Sequence, residues 1–271
     1  MMIRIREAAV AGSFYPADPG ELQSTVNRLL DMVPFISGPA PKVLVVPHAG
    51  YVWSGPVAAT AYARLRPHRD RYRRVVLLGP CHCVAFRGVA TSGASSFRSP
   101  LGDVALDRTS IDALRHPAVS LFDAAHRPEH SLEVQLPFLQ AVLPSFTLVP
   151  LVVGEADAED VAEVIDALWG GTETLLVVSS DLSHYLGYAE ARDLDRETCR
   201  AIENLEDSGI NHAAACGATP LRGMLQVARR RGLQAVTLDL RNSGDVSGDR
   251  HRVVGYGAWL FVEDASCRRA A

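Results

Sequence analysis

From Lys42 onward the chain alternates between two kinds of segment. Runs that are apolar at nearly every position, "KVLVVP" (42–47), "RRVVLLG" (73–79), "TLVPLVVG" (147–154) and "TLLVVSSDL" (174–182), predict strands buried on both faces. Between them lie stretches with apolar residues at helical spacing. "PVAATAYARL" (56–65) follows Ser54, a good N-cap, and puts Pro56 in the first turn. "SIDALRH" (110–116) and a segment from about 189 to 205 also read as helices. In "SLEVQLPFLQAVL" (131–143), Pro137 lacks the N–H a helix interior needs and forces a kink or a late start. "DAEDVAEVIDALWG" (157–170) is amphipathic and closed by Gly170; "TPLRGMLQVARRRG" (219–232) has Thr219 as cap, Pro220 in the first turn and Gly232 as stop. "QAVTLDLRN" (234–242) and "RVVGYGAWLFV" (252–262) supply two last strands.

Buried strands alternating with helices predict an α/β fold, a central largely parallel or mixed sheet with helices on both faces. No linker, repeat or low-complexity stretch divides residues 1–271, so a single domain is expected. With 271 residues, 48% hydrophobic and 21% charged, the core needs neither disulfides nor a structural metal. Five Cys at irregular spacing argue against a disulfide framework. The net charge of −4 advertises no basic face, which excludes nucleic acid and an acidic membrane surface as expected partners. No apolar run approaches the ~18–20 residues of a membrane span, and residues 1–16 lack an apolar signal core. A reducing, cytoplasmic location is the expectation.

The polar residues collect at strand ends. "VVPHAGY" brings His48, "LLGPCHC" brings His82, and "VVSSDLSHY" brings Asp181 and His184. In open α/β sheets the ligand site lies beyond the carboxyl ends of the strands, so parallel neighbours would make these residues converge. Neutral imidazoles suit Fe, Zn or Cu, and two His with one carboxylate is the facial arrangement of non-haem Fe(II) oxygenases. Asp181, Glu133 and Asp245 are the candidate carboxylates. "EHSLEVQLPF" (129–138) adds His130 and Glu133, read either as a helix start with Ser131 as cap or as a substrate-binding pair. Tyr51, Trp53 and Tyr185 are candidates to line a ring pocket. "RNSGDVSGDRH" (241–251) reaches the same end of the sheet only if the last strand is antiparallel to the others. Residues two apart on extended chain share a side, so Cys81 and Cys83 point away if His82 faces the site. Cys216, just before a helix, is either a thiol of lowered pKa or a small buried side chain. Cys199 and Cys267 carry no signal, and His68, His116, His126, His212 and His251 read as surface residues.

"AAVAGSFYPADPGEL", "PHAGYVWSGPVAATAY", "LLGPCH", "EHSLEVQLPFLQ", "SSDLSHY", the Cys216–Gly217 pair and "VVGYGA" together resemble the Memo family, whose prokaryotic members are called AmmeMemoRadiSam system protein B. The resemblance implies a fold similar to the class III extradiol dioxygenases, which cleave catechol rings with Fe(II). It implies metal ligands at His48 and His82, with His184 as third ligand or as acid/base group. A vertebrate member of the family has a Cys ligand in the loop before the last strand. Here that stretch is "NSGDVSGD", and Asp245 is the candidate carboxylate at or beside the position. Three functions follow as expectations. The first is an Fe(II) oxidoreductase of the extradiol type, with Tyr185 and its neighbours around the substrate. The second is a non-catalytic metal- or peptide-binding partner of a radical SAM protein, suggested by the family name. The third is a zinc hydrolase.

Overall fold

The computed structural model describes residues 4–263; Cys267 and both extreme ends of the expected domain lie outside them. The chain opens with β1 (Ile5–Arg6) and α1 (Pro19–Asp31). Sequence reading did not assign α1, although its signals are present. Asp18 accepts the Glu21 N–H, Pro19 occupies the first turn, and Leu22, Val26, Leu29 and Leu30 fall on one buried face. Next come β2 (Val43–Val46) and α2 (Tyr51–Tyr62). The latter starts five residues before Pro56, capped by Gly50. Ser54 is therefore no N-cap; it lies inside the helix and its hydroxyl donates to the Ala49 carbonyl at 2.8 Å.

A 3-10 segment leads to β3 (Arg74–Pro80). A run of short elements follows that sequence reading left largely unassigned: β4 (Val89–Thr91), β5 (Ser96–Ser99), β6 (Gly102–Ala105), α3 (Arg108–Ala113), β7 (Val119–Leu121) and α4 (Asp123–His126). Pro137 gives the late start: Glu133–Gln135 is one 3-10 turn, and α5 (Leu136–Val142) begins after it. The remainder is β8 (Thr147–Val153), α6 (Ala158–Ala167), β9 (Thr174–Ser179), β10 (His184–Leu186), α7 (Tyr188–Glu203), α8 (Ala218–Arg230), β11 (Leu233–Asn242), α9 (Gly244–Ser247) and β12 (Val253–Glu263). Gly217, not Thr219, caps α8; a Cβ there would stand 2.7 Å from Ser180 Cβ, so the close approach requires glycine.

The main sheet runs β10-β12-β2-β9-β3-β8-β4-β7, with β11 also on β12. Strands β2, β9, β3 and β8 are mutually parallel, while β12 is antiparallel to β2 and β4 to β8. The sheet is therefore mixed, in an α/β fold consistent with the class III extradiol dioxygenase type. Helices α1, α2 and α5 pack as one group and α6 with α8 as another, and almost every residue of the four parallel strands is buried. Continuous apolar strands fold this way because both faces lose water.

Parallel pairing puts the carboxyl ends of β2, β9, β3 and β8 on one edge. Because β12 is antiparallel, it begins at that edge, with Trp259 opposite Val45 and Phe261 opposite Val43. The condition set for the 241–251 loop is thus met. At the opposite end Lys42 ties the sheet down: its ammonium donates to the Trp169, Gly171 and Thr174 carbonyls at 2.7, 2.8 and 2.9 Å.

Candidate metal centre

His48 leaves β2 and is anchored from the neighbouring strand end. Its N–H donates to Asp181 Oδ1 at 2.7 Å, and the Ala49 N–H reaches the same oxygen at 3.3 Å. Burial pushes the Asp181 carboxyl up to about 6. The His48 ring sits with Nδ1 2.9 Å from Ser179 Oγ. That hydroxyl gives its one proton to the Ser131 carbonyl at 2.6 Å and accepts from Gln135 Nε2 at 2.8 Å. Its remaining lone pair must face a donor, so His48 carries its proton on Nδ1 and turns a bare Nε2 toward the site. Burial, then the fields of His82 and His130, hold the His48 pKa well below the ordinary imidazole value. Neutral imidazole is the form that binds metal.

His82 leaves β3, and one carboxylate fixes both it and His130. Glu129 Oε1 accepts from His82 Nδ1, the His130 N–H and the Ser131 N–H, each at 2.9 Å, while Oε2 accepts the His82 N–H at 2.6 Å. Glu129 is 1% exposed. Burial alone would raise its pKa; the hydrogen bonds from the His82 ring and from backbone N–H groups more than offset this and hold it down to about 2. This is the carboxylate–histidine pairing that orients a metal-ligating imidazole and raises its basicity. It leaves His82 Nε2 free. The His82 and His130 rings stack at 4.6 Å, and both meet His48 edge-on at 5.1 and 5.4 Å. Phe14 packs on His130 from the outside, at 4.8 Å between centroids.

One donor atom from each of His48, His82 and His130 lies within 4.8 Å of the others. Nitrogens sharing one tetrahedral ion at ~2.1 Å stand ~3.4 Å apart, so modest side-chain rotations would bring these three onto an ion. The donor set fits a first-row divalent metal such as Fe, Zn or Cu. His48 is buried, His130 half-buried and His82 exposed, which leaves the group open toward solvent.

The sequence pattern of one known family, described as Memo-like protein, matches residues 6–260. The chain belongs to the Memo-like family. It is 37% identical to a MEMO1 family protein of Methanosarcina barkeri over 274 residues, spanning 96% of this chain and all of that one. A MEMO1 family protein of Aquifex aeolicus is 35% identical over 274 residues, with the same coverage. One of Methanococcoides burtonii is 38% identical over 268 residues, covering 94% of this chain and 98% of that protein.

Within this Memo-like chain the other candidate residues divide sharply. Asp245 does not join the histidines. The short α9 turns its carboxylate outward, where it accepts the Tyr188 hydroxyl at 2.7 Å and the Asn242 N–H at 2.9 Å. A thiol does reach the site, from the start of α8 rather than from the loop before β12. Cys216 Sγ is 3.3 Å from His48 Nε2. Burial pushes this thiol up to about 12, so it stays protonated and donates to the imidazole; of the two readings of Cys216, the structure fits the small buried side chain and not the thiol of lowered pKa. His184 stands at the rim, outside the three-histidine group. Burial, and then His82, lower its pKa.

Glu133 is not available to a substrate. It is buried in an ion pair with Arg6, accepts the Tyr15 hydroxyl, and accepts the Ala9 and Val10 N–H groups at 2.7 and 3.0 Å. Tyr51 is likewise internal, its hydroxyl donating to the Val134 carbonyl at 2.7 Å. Trp53 and Tyr185 are exposed. Cys81 donates to the Val84 carbonyl and Cys83 lies against the Pro128 carbonyl, so neither thiol is part of the group. His126, read as a surface residue, is 2% exposed, with Nε2 on the Ala90 carbonyl at 3.0 Å. Sequence reading gave Glu129 no role. Its one signal was an acid directly before His130, which only the fold connects to His82.

Proposed function

We propose that the protein binds one divalent metal at His48, His82 and His130 and acts as an Fe(II)-dependent oxidoreductase of the extradiol type on a small molecule held in the cleft. The observation that supports this reading is the pair of anchored imidazoles. Ser179 and Glu129 take the Nδ1 protons of His48 and His82, which leaves each Nε2 unprotonated, and one ligand atom of each ring lies within 4.8 Å of one from His130. Three imidazoles suit iron, zinc and copper alike, and likeness to the extradiol fold selects iron. When bound, the metal supplies Lewis-acid and one-electron chemistry and lowers the pKa of a coordinating hydroxyl. The chain's own residues orient and deprotonate. His184, kept neutral by burial, is placed at the rim to take and return a substrate proton. Asp181 holds the His48 loop, and Cys216 lies against His48 to restrict what approaches it.

Protein purified without oxygen should bind one equivalent of iron(II), lose it in the His48→Ala, His82→Ala double variant, and consume oxygen with at least one member of a catechol panel. Equimolar zinc with no oxygen uptake would instead support a hydrolase. A second reading is favoured by the exposed Val52, Trp53 and Tyr185, which are 73%, 40% and 63% accessible. In it the protein is a metal- or peptide-binding partner of a radical SAM protein, and tight partner binding without oxygen uptake would establish it. No helix among the described residues is long and apolar enough to cross a membrane.

A further inference from the structure

The rim beside His184 carries a device that the three-histidine centre does not explain. Strand β10 pairs with β12 through His184↔Val254 and Leu186↔Val253, and the register shifts between them. Tyr185 is the extra residue of this bulge and takes φ +59°, a left-handed conformation that a Tyr adopts only under constraint. Backbone strain and bulges of this kind cluster where a side chain is re-aimed at a functional site. The bulge aims the Tyr185 ring outward, 63% exposed, with its centroid 5.8 Å from the His184 ring. Over the Tyr185 ring lies Arg252, its guanidinium carbon 5.0 Å from the centroid.

Arg252 is the cation beside the His184–Tyr185 pair. Arg241 is paired with Asp239. Arg192 and Arg250 flank the Tyr188 ring, and both act on Asp245, which the Tyr188 hydroxyl contacts. Like Arg192 and Arg250, Arg252 has no carboxylate oxygen within ion-pair distance among the described residues; unlike them, it stacks on Tyr185, whose ring neighbours His184. Stacking on an aromatic face holds a guanidinium in place and leaves its in-plane N–H edge free, in the fork geometry that matches a carboxylate. The site is tied to the centre by backbone. The Leu182 N–H donates to the Gly255 carbonyl at 2.8 Å, and Asp181, one residue earlier, holds the His48 N–H.

We infer that the molecule bound at the three-histidine centre carries a carboxylate, which Arg252, pre-stacked on Tyr185, holds at the mouth of the cleft. The planar fork of one guanidinium matches the two oxygens of one carboxylate. The inference deepens the proposed function and rests on that reading of the centre.

The test uses the full chain loaded with Co(II), whose visible absorption reports ligands entering the metal's open positions. Two probes share one chelating head: a catechol with an acetate arm, and the methyl ester of the same compound. The acid is expected to bind at least about fivefold tighter than the ester at low salt, a gap that shrinks as ionic strength rises. In Arg252→Met, which keeps an apolar stem on Tyr185, the ratio should fall to about one, and Arg252→Lys should restore part of it. A ratio near one in the unaltered protein, or a preference that survives Arg252→Met, overturns the inference while leaving the metal-centre reading intact. If Co(II) loads and neither probe alters its spectrum, the reading of an open, substrate-binding metal centre fails, and the inference with it.

Discussion

Replacing Glu129 with Gln tests whether this buried carboxylate works on the metal site or only on the fold. Its two oxygens accept four N–H groups: the His82 ring, and the backbones of His82, His130 and Ser131, at 2.6–2.9 Å. A glutamine has one acceptor oxygen. Its least costly orientation keeps that oxygen in the place of Oε1, on three donors, and sets an NH₂ against the His82 N–H. Leaving that buried donor unpaired costs ~1–3 kcal/mol. For a chain of this length, such a loss lowers Tm by roughly 2–4 °C per kcal/mol. The larger effect should fall on metal affinity. A neutral amide no longer strengthens His82 as a donor, and loss of such an outer partner typically weakens metal binding ~10–100-fold. The assay is a competition titration of iron(II) or Co(II) against a chromogenic chelator, run beside thermal unfolding with EDTA present to isolate the metal-free fold. A tenfold or greater loss of affinity with a Tm drop of several degrees is expected. Affinity within twofold of the parent, with the Tm lowered, would refute the reasoning and make Glu129 a purely structural anchor.

The other predictions separate site from scaffold. Asp245→Asn should leave metal stoichiometry and affinity unchanged, because both oxygens face Tyr188 and Asn242; a tenfold loss by the same titration would return Asp245 to the ligand set. Glu133→Gln should destabilise the fold by ~3–5 kcal/mol in denaturant unfolding, because it breaks a buried ion pair with Arg6 and leaves the guanidinium uncompensated. His126 is held down to about 4, burial being the main cause. Below an unfolded value of ~6.5 the unfolded chain binds the extra proton, so stability should fall by ~3 kcal/mol as pH drops from about 6.5 to 4. His126→Gln should flatten that part of the Tm–pH profile, and an unchanged slope would count against the assignment.

The parallel strands could be read from sequence because a strand buried on both faces needs apolar residues at every position, and that requirement is local. Their carboxyl ends then pointed to His48, His82 and Asp181. Apart from α3, which overlaps the helix read at 110–116, the short elements between Val89 and His126 left no such trace: at three or four residues each, they are too short to display a period. α1 is a different case. Its capping acid, proline and apolar face are all local signals, legible in the sequence from Asp18 to Leu30.

The site shows where local reading stops. His130 was legible as part of a helix start or of a substrate-binding pair but not as a metal ligand, because that role depends on Glu129 bridging it to His82, which lies 47 positions before Glu129. Asp245 had sound support: an acid in a loop that does enter at the strand ends, since β12 is antiparallel to β2. What decided against it was the four-residue helix α9 and a tyrosine on α7, both of which turn the carboxylate away. Cys216 had the opposite history. Its sequence neighbourhood said only that it preceded a helix, yet Gly217 lets that helix start press against Ser180 and delivers the thiol to His48. In both cases the outcome was set by how closely two backbones approach, which follows from glycines and short turns rather than from the chemistry of the residue in question. A candidate residue is therefore best judged by the path its backbone must take to the strand ends, and on that criterion the thiol before α8, not the acid before β12, comes within reach of His48.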